Sequence, residues 1–322
     1  MKICYVKKRF QPATLHLISQ CAEILGDYRA QGYDLTLRGL FYQFVSRDWF
    51  PDDRKWTQVG SKWRRDPQGT KNAEPNYKWL GGVVNDARLA GLLDWNILID
   101  RTRVLNDHSS WDTPGDIIKS AAHSYAIDMW EEQNYRPEVW IEKDALLGII
   151  EPVCNEYAVP YFSCRGYTSQ SAMWRAAQRL KRHADNGYIP VIIHLGDHDP
   201  SGVDMSRDIA TRIQDVFDVG IDFERIALSM AQVRKYDPPP NPAKVTDSRA
   251  GTYMEIYGDE SWELDALEPQ VMTQLIRDAV ENLYDADQWA KDEARGERDR
   301  ADLTSVAARW PDVVKKFGLD SD

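Results

Sequence analysis

Cysteine is scarce: four residues in 322, at positions 4, 21, 154 and 164. They form no Cys-x-x-Cys pair and have no nearby histidine at zinc spacing, so a zinc module is excluded and buried free thiols in a reducing cytosol are expected. No apolar run approaches the length of a membrane span, and Met1-Lys2-Ile3-Cys4-Tyr5-Val6-Lys7-Lys8 does not read as a secretory signal. A cytoplasmic protein without a membrane partner is the expectation. Excess positive charge is missing too: the formal balance is −11, which excludes wholesale coating of nucleic acid but not a local basic patch. There is no Gly-x-x-x-x-Gly-Lys-Ser/Thr loop, hence no nucleotide site in this chain, and no internal repeat. What is present is ordinary for a globular protein, 43% hydrophobic and 28% charged residues, over a length that suits two domains. Twelve tryptophans are many, and several stand beside basic residues.

One stretch organises the chain: Val191-Ile192-Ile193-His194-Leu195-Gly196-Asp197-His198-Asp199-Pro200-Ser201-Gly202. A β-branched run stops at two aspartates one residue apart, which alternation along a strand projects to the same side. Pro200 and the small residues after it suit a turn into a helix beginning near Val203. Two carboxylates at the carboxyl end of a strand repel each other unless a cation or proton intervenes, which suggests a divalent metal. The plainer alternative is that Asp199 caps the helix and Asp197 is a solvated turn residue.

Upstream, residues 12–31 have helical spacing with Leu15, Ile18, Cys21, Ala22 and Leu25 on one face, and Gly32 ends that helix. Thr36 is placed to cap a second helix with Leu37, Leu40, Phe41, Phe44 and Val45 as its core face; Arg38 and Tyr42, four apart, stack beside it. Arg54-Lys55-Trp56-Thr57-Gln58-Val59-Gly60-Ser61-Lys62-Trp63-Arg64-Arg65 holds five cations, two tryptophans and no acid. Phosphate neutralisation by Arg54, Lys55, Lys62, Arg64 and Arg65 and stacking on Trp63 are what that mixture offers; the alternative is a solvated basic loop. With a helix at 77–93 and a short strand at 95–100, residues 1–105 fit a winged-helix-like DNA-binding unit.

Residues 104–115 are turn-rich and read as a linker, followed by a helix near 117–132, so that 106–135 joins two domains. Over 136–322 the alternation of an α/β domain with a parallel sheet begins: strand 137–142, helix 143–157 with Leu146, Leu147, Ile150 and Val153 buried, strand 159–164, a helix capped by Thr168 or Ser169, strand 189–195, helix 203–217. Two strands thus end in acids, at Glu142 and at Asp197/Asp199, and a parallel sheet brings strand carboxyl ends to one edge. These three are the candidate metal ligands. Glu263 and Asp265, alternating along an apparent strand, are candidates for a second metal, though surface chemistry explains them equally well. Beyond Phe223 the pattern weakens: a rigid, exposed segment at 237–242, a helix at 269–284, and a charged helical tail or dimer-facing arm from 285.

Glu142-Lys143-Asp144 after one strand and Asp197-x-Asp199-Pro200-x-Gly202 after another resemble the Toprim domain. More narrowly they are similar to the topoisomerase VI A subunit and its relatives, the meiotic double-strand-break proteins. Arg38-Gly39-Leu40-Phe41-Tyr42 matches that family's Arg-x-x-Tyr-Tyr motif with Phe41 in place of the first tyrosine. Cys164-Arg165-Gly166-Tyr167-Thr168 matches its Gly-x-Gly-Tyr-Pro segment in part. The resemblance covers about two thirds of the chain and suggests a stand-alone relative. It implies DNA as substrate, Tyr42 as nucleophile forming a 5′-phosphotyrosyl link, Arg38 assisting, and Mg²⁺ (or Mn²⁺) on Glu142, Asp197 and Asp199. Lys143 and His198 flank that metal as phosphate or water contacts, or face solvent incidentally. It further implies a homodimer in which the tyrosine of one protomer works with the metal site of the other, and a separate ATPase subunit if strands are passed. The alternatives left open are a Toprim nuclease that hydrolyses DNA without a tyrosyl intermediate, and a non-catalytic DNA-binding module with structural Mg²⁺.

Overall fold

The computed structural model describes residues 2–33, 35–60, 62–98, 109–242 and 249–318. It opens with α1 (Pro12–Ala30), whose proline occupies the first turn, where no backbone donor is lost. The buried stripe of α1 runs through Leu17, Cys21, Ile24 and Tyr28, so Leu15, expected on the core face, is instead 46% exposed. Both stripes have helical period; the one that includes Tyr28 wins because it meets α2 (Leu37–Ser46). Thr36 caps α2 as expected, its hydroxyl accepting from Gly39 N–H at 3.2 Å. Leu40, Phe41, Tyr42 and Phe44 are buried and Leu37 and Val45 partly so.

The basic stretch is an antiparallel hairpin, β1 (Trp56–Val59) and β2 (Lys62–Arg65), pairing Trp56 with Arg65 and Gln58 with Trp63. Then comes α3 (Glu74–Leu89), starting three residues before the expected Tyr77 because Pro75 sits in its first turn. Of the strand expected at 95–100, Leu98 makes a single bridge with Leu35; residues 99 and 100 lie outside the described residues, as does 104–108 of the expected linker. The rest of that linker is not all turn. Thr113 and Asp116 form a reciprocal capping box that starts α4 (Pro114–Ser124), and the helix stops at Ser124 rather than near 132.

The expected α/β architecture follows, with four parallel strands in one sheet. The chain runs β3 (Tyr135–Ile141), α5 (Leu147–Glu156), β4 (Tyr161–Ser163), α6 (Gln170–Asp185), β5 (Ile189–Leu195), α7 (Pro200–Thr211) and β6 (Asp222–Ala227). Spatial order is β4-β3-β5-β6. Val191 to Leu195 are all buried, because β5 has neighbours on both edges and helices on both faces. Val139, Ile141, Val191 and Ile193 pack toward α5; Trp140 and Ile192 pack toward α6 and α7. From β3 the crossover goes out to β4 on one side and returns to β5 on the other. The order therefore reverses between β3 and β5, and the crevice beyond their carboxyl ends is where such sheets bind ligands.

After α8 (Met230–Tyr236), the proline-rich segment is not wholly exposed: Pro238 is buried and β7 (Asn241–Pro242) pairs with β8 (Glu260–Ser261), on either side of α9 (Ala250–Tyr257). Glu263 and Asp265 do not alternate along a strand; Trp262 bridges His198 and the chain then enters a 3₁₀ turn at Leu264–Ala266. Helix α10 (Pro269–Glu281) covers the sheet beside α5. The charged tail is no free arm. Helix α11 (Ala286–Ala308) lies along α4, with Tyr125 donating to Asp299 at 2.9 Å, and α12 (Trp310–Phe317) brings Trp310 over Gly115. The N-terminal core includes Ala266, and Tyr33 bonds Thr273 at 3.1 Å, so the two halves share one packed seam. Among the described residues no helix is long and apolar enough to cross a membrane.

Candidate functional site

The site sits at the seam, on the β3/β5 crevice. Register Ile141↔Leu195 puts the two strand ends level, so Glu142 and Asp197 emerge side by side. A Glu142 carboxylate oxygen accepts the Asp197 backbone N–H at 2.8 Å. Asp197 is buried, not a solvated turn residue: Oδ1 accepts Leu264 N–H at 2.8 Å and Oδ2 pairs with Lys143 Nζ at 2.9 Å. Asp199 does cap α7, Oδ1 accepting Gly202 N–H at 2.7 Å, which also leaves it on the rim of the groove described below. Gly202 is required by close approach. A Cβ there would stand 2.3 Å from the Asp197 carbonyl oxygen.

Arg38 and Tyr42 join these acids from α2. The Tyr42 hydroxyl donates to Glu263 Oε2, and Arg38 Nη2 donates to the same phenol oxygen at 3.2 Å. Arg38 also reaches Glu263 at 2.6 Å and Asp265 at 3.0 Å. Lys143 closes the network, touching Asp197 and Glu263 at 2.9 Å and Asp265 at 3.0 Å. Tyr42 is thus hydrogen-bonded to Glu263 and Arg38 of its own chain.

One further cation was not foreseen. Arg225, on β6, donates to the backbone carbonyls of Gly202 at 2.9 Å, Asp197 at 2.6 Å and Gly196 at 3.2 Å, and to Ser206. Its strand is half charged, and its neighbours Asp222 and Glu224 made it look like surface charge.

The electrostatics follow from burial. Desolvation opposes charge on Glu263, but Lys143 and Arg38 outweigh it and hold that carboxyl at about 2. Asp197 goes the other way: burial, against Lys143 but with Glu142, Asp265 and Glu263, raises it to about 7. Burial also raises Glu142, with Asp199 adding to the effect. Burial and then the Glu263 charge push the Tyr42 phenol well above its usual range, so the hydroxyl is protonated and Glu263 receives its hydrogen.

Facing this network is a groove of about 1130 Å³ lined by Tyr42, Arg38, Asp199 and Glu263 on one side and Trp56, Trp63 and Tyr77 on the other. The hairpin is two-faced. Trp63 and Gln58 turn to the groove, while Lys62 and Arg64, both exposed, lie at the alternate positions of β2 and do not line it. Arg65 stacks on Trp56 at 4.7 Å and pairs with Asp53; Arg54 stacks on Trp79 at 3.3 Å. Lys55 is half-buried at the root of β1. His198 is buried in an aromatic cluster, its Nδ1 2.8 Å from the Tyr253 hydroxyl, and burial lowers its pKa to about 4, so the ring is neutral and turned from the groove.

Glu142, Asp197, Asp199, Glu263 and Asp265 are hard oxygen donors of the kind Mg²⁺ takes. Against them stand Arg38, Lys143 and Arg225, so five carboxyl groups face three cations, and burial favours the protonated forms of Asp197 and Glu142, whose protons a divalent ion would displace. The donor set therefore fits such an ion by type and by charge. As arranged, no three His, Cys, Asp or Glu side chains among the described residues are gathered ready to hold it, and Lys143 is paired with three of the acids. No protein-family model matches this chain, and no curated protein matches it.

Proposed function

We propose that this chain is a Mg²⁺-dependent DNA-cleaving protein of the topoisomerase VI A type, built from a winged-helix-like unit that carries Tyr42 and a Toprim unit that carries the acids. What supports the reading is the convergence of Tyr42 and Arg38 from α2 with Lys143, Asp197, Glu263 and Asp265 from the sheet edge, in one hydrogen-bonded network facing an aromatic-walled groove. Tyr42 Oη attacks the phosphorus, a phosphorus–oxygen bond to the 3′ side breaks, and a 5′-phosphotyrosyl link forms that a free 3′-hydroxyl later reverses. The phenol proton leaves along its hydrogen bond to Glu263, which at about 2 does not keep it, and passes to the departing 3′ oxygen, so that the break ends in a 3′-hydroxyl. Arg38, 3.2 Å from the phenol oxygen, stabilises the charge that develops there. Glu142, Asp197 and Asp199 are the residues that would hold Mg²⁺ or Mn²⁺, which neutralises the scissile phosphate when bound. A homodimer belongs to this reading, its two sites making the paired cuts. A separate ATPase subunit belongs to this reading only if strands are passed.

The second reading is a metal-dependent nuclease that activates water. Tyr42 itself favours it, being 3% exposed with its hydroxyl already engaged. Supercoiled DNA with Mg²⁺ or Mn²⁺ separates the two. The tyrosyl mechanism expects cleavage to vanish in both Tyr42→Phe and Asp197→Ala, with wild-type protein trapped covalently on 5′ ends. Full cleavage by Tyr42→Phe would refute it in favour of hydrolysis. DNA binding without any cleavage by wild type would leave a binding module.

A further inference from the structure

We infer that Lys143 occupies the place of a second cation, so that this centre takes one divalent metal ion rather than two; the inference rests on the metal-dependent reading above. The two acids that a second ion would need, Glu263 and Asp265, are already neutralised by the chain itself. Lys143 Nζ lies 2.9 Å from Glu263, 3.0 Å from Asp265 and 2.9 Å from Asp197. The ammonium donates a hydrogen bond to Glu263 and is ion-paired with Asp197 and Asp265. Arg38 reaches the same Glu263 oxygen at 2.6 Å and the other oxygen of Asp265 at 3.0 Å.

The position is built rather than accidental. Lys143 directly follows the Glu142 strand end, so its backbone is pinned by the sheet: Glu142 N–H donates to Leu195 C=O at 2.9 Å. The Asp265 side chain is 1% exposed and that of Asp197 7%, and buried carboxylates of this kind require a fixed counter-charge. Mg²⁺ gives up its water reluctantly and demands six oxygens in near-octahedral array, whereas a tethered ammonium supplies charge without either demand. Glu142 and Asp199 flank Asp197 at the β3/β5 crevice, and the three are the oxygen donors for one divalent ion. Lys143 therefore acts as a positioning residue: it keeps Glu263 and Asp265 spaced around Tyr42 and Arg38 and excludes metal from them.

The test counts metal. Metal-free full-length protein is titrated with Mn²⁺ alone, free Mn²⁺ being read by electron paramagnetic resonance, without DNA and without reference to cleavage. The expected result is one Mn²⁺ per chain for wild type and two for Lys143→Gln, which uncovers Glu263 and Asp265. Two ions on wild type, or one on a folded Lys143→Gln, would overturn the inference while leaving the cleavage reading intact. No Mn²⁺ on wild type would overturn both. Asp265→Asn keeps the test decisive should Lys143→Gln fail to fold: the inference expects its count to stay at one, and a fall from the wild-type count refutes it.

Discussion

The hairpin and the sheet edge both concentrate charge, and they use it in opposite ways. Lys62 and Arg64 are exposed at alternate positions of β2, where water screens them and neither depends on a partner for stability. At the sheet edge Asp197, Asp265, Lys143 and Arg225 have been taken out of water, so every charge is fixed by another charge or by backbone groups. Charge of the first kind suits attraction of a polyanion; charge of the second kind suits preorganised chemistry.

That contrast can be broken at its buried end first. Arg225→Met should cost about 3–5 kcal/mol, since it strips the carbonyls of Gly196, Asp197 and Gly202 of their donor and the neighbouring acids of a counter-charge. Urea denaturation measures it, and a loss below about 1 kcal/mol would mean that this arginine is not integral to the edge.

The next largest effect is pH-dependent. Burial, and then Arg225, lowers the pKa of His194 to about 3, below its ordinary 6.5. Folding favours the neutral ring, so its contribution is complete above about pH 6.5 and is lost as pH falls toward 3, on the order of a few kcal/mol. Melting temperatures of wild type and His194→Gln between pH 7 and 4 should converge on acidification; parallel curves would remove His194 from the acid response.

The exposed end should barely register in stability. Replacing Lys62, Arg64 and Arg65 together by glutamine should change unfolding free energy by about 0.5 kcal/mol or less apiece. DNA binding should weaken, and its salt slope should flatten by roughly 0.9 for each phosphate that is no longer neutralised. An unchanged slope would show that the hairpin offers DNA its tryptophan face alone.

Much of this was legible in the residues. Two of the four parallel strands, β3 and β5, announce themselves by apolar runs that end in acids, and β5 matches its expected span to the residue, whereas β6, half of it charged, was not expected. Thr36 and Ser169 cap the helices they were expected to cap. Less legible were elements whose partners are remote in sequence. Leu15 and Leu17 point to different sides of α1, and the packing of α2 and α3 decides which is buried. A helix was expected near 117–132, but its bounds, Pro114–Ser124, and its packing against α11, more than 160 residues later, were not. Glu263 and Asp265 looked like surface charge because the arginine and lysine that bury them come from positions 38 and 143.

By itself the sequence determined the strand ends: β-branched runs that must be buried, halted by Glu142 and by Asp197 and Asp199, with Gly202 where only a hydrogen fits against the Asp197 carbonyl. Local sterics and alternation suffice for that. The tertiary structure alone decided what those acids face. The reversal of strand order between β3 and β5 sets them on one crevice, and the seam with α2 delivers Arg38 and Tyr42 to it. Charges separated by more than 200 residues become neighbours only when the core beneath them closes, because burial is what compels them to pair.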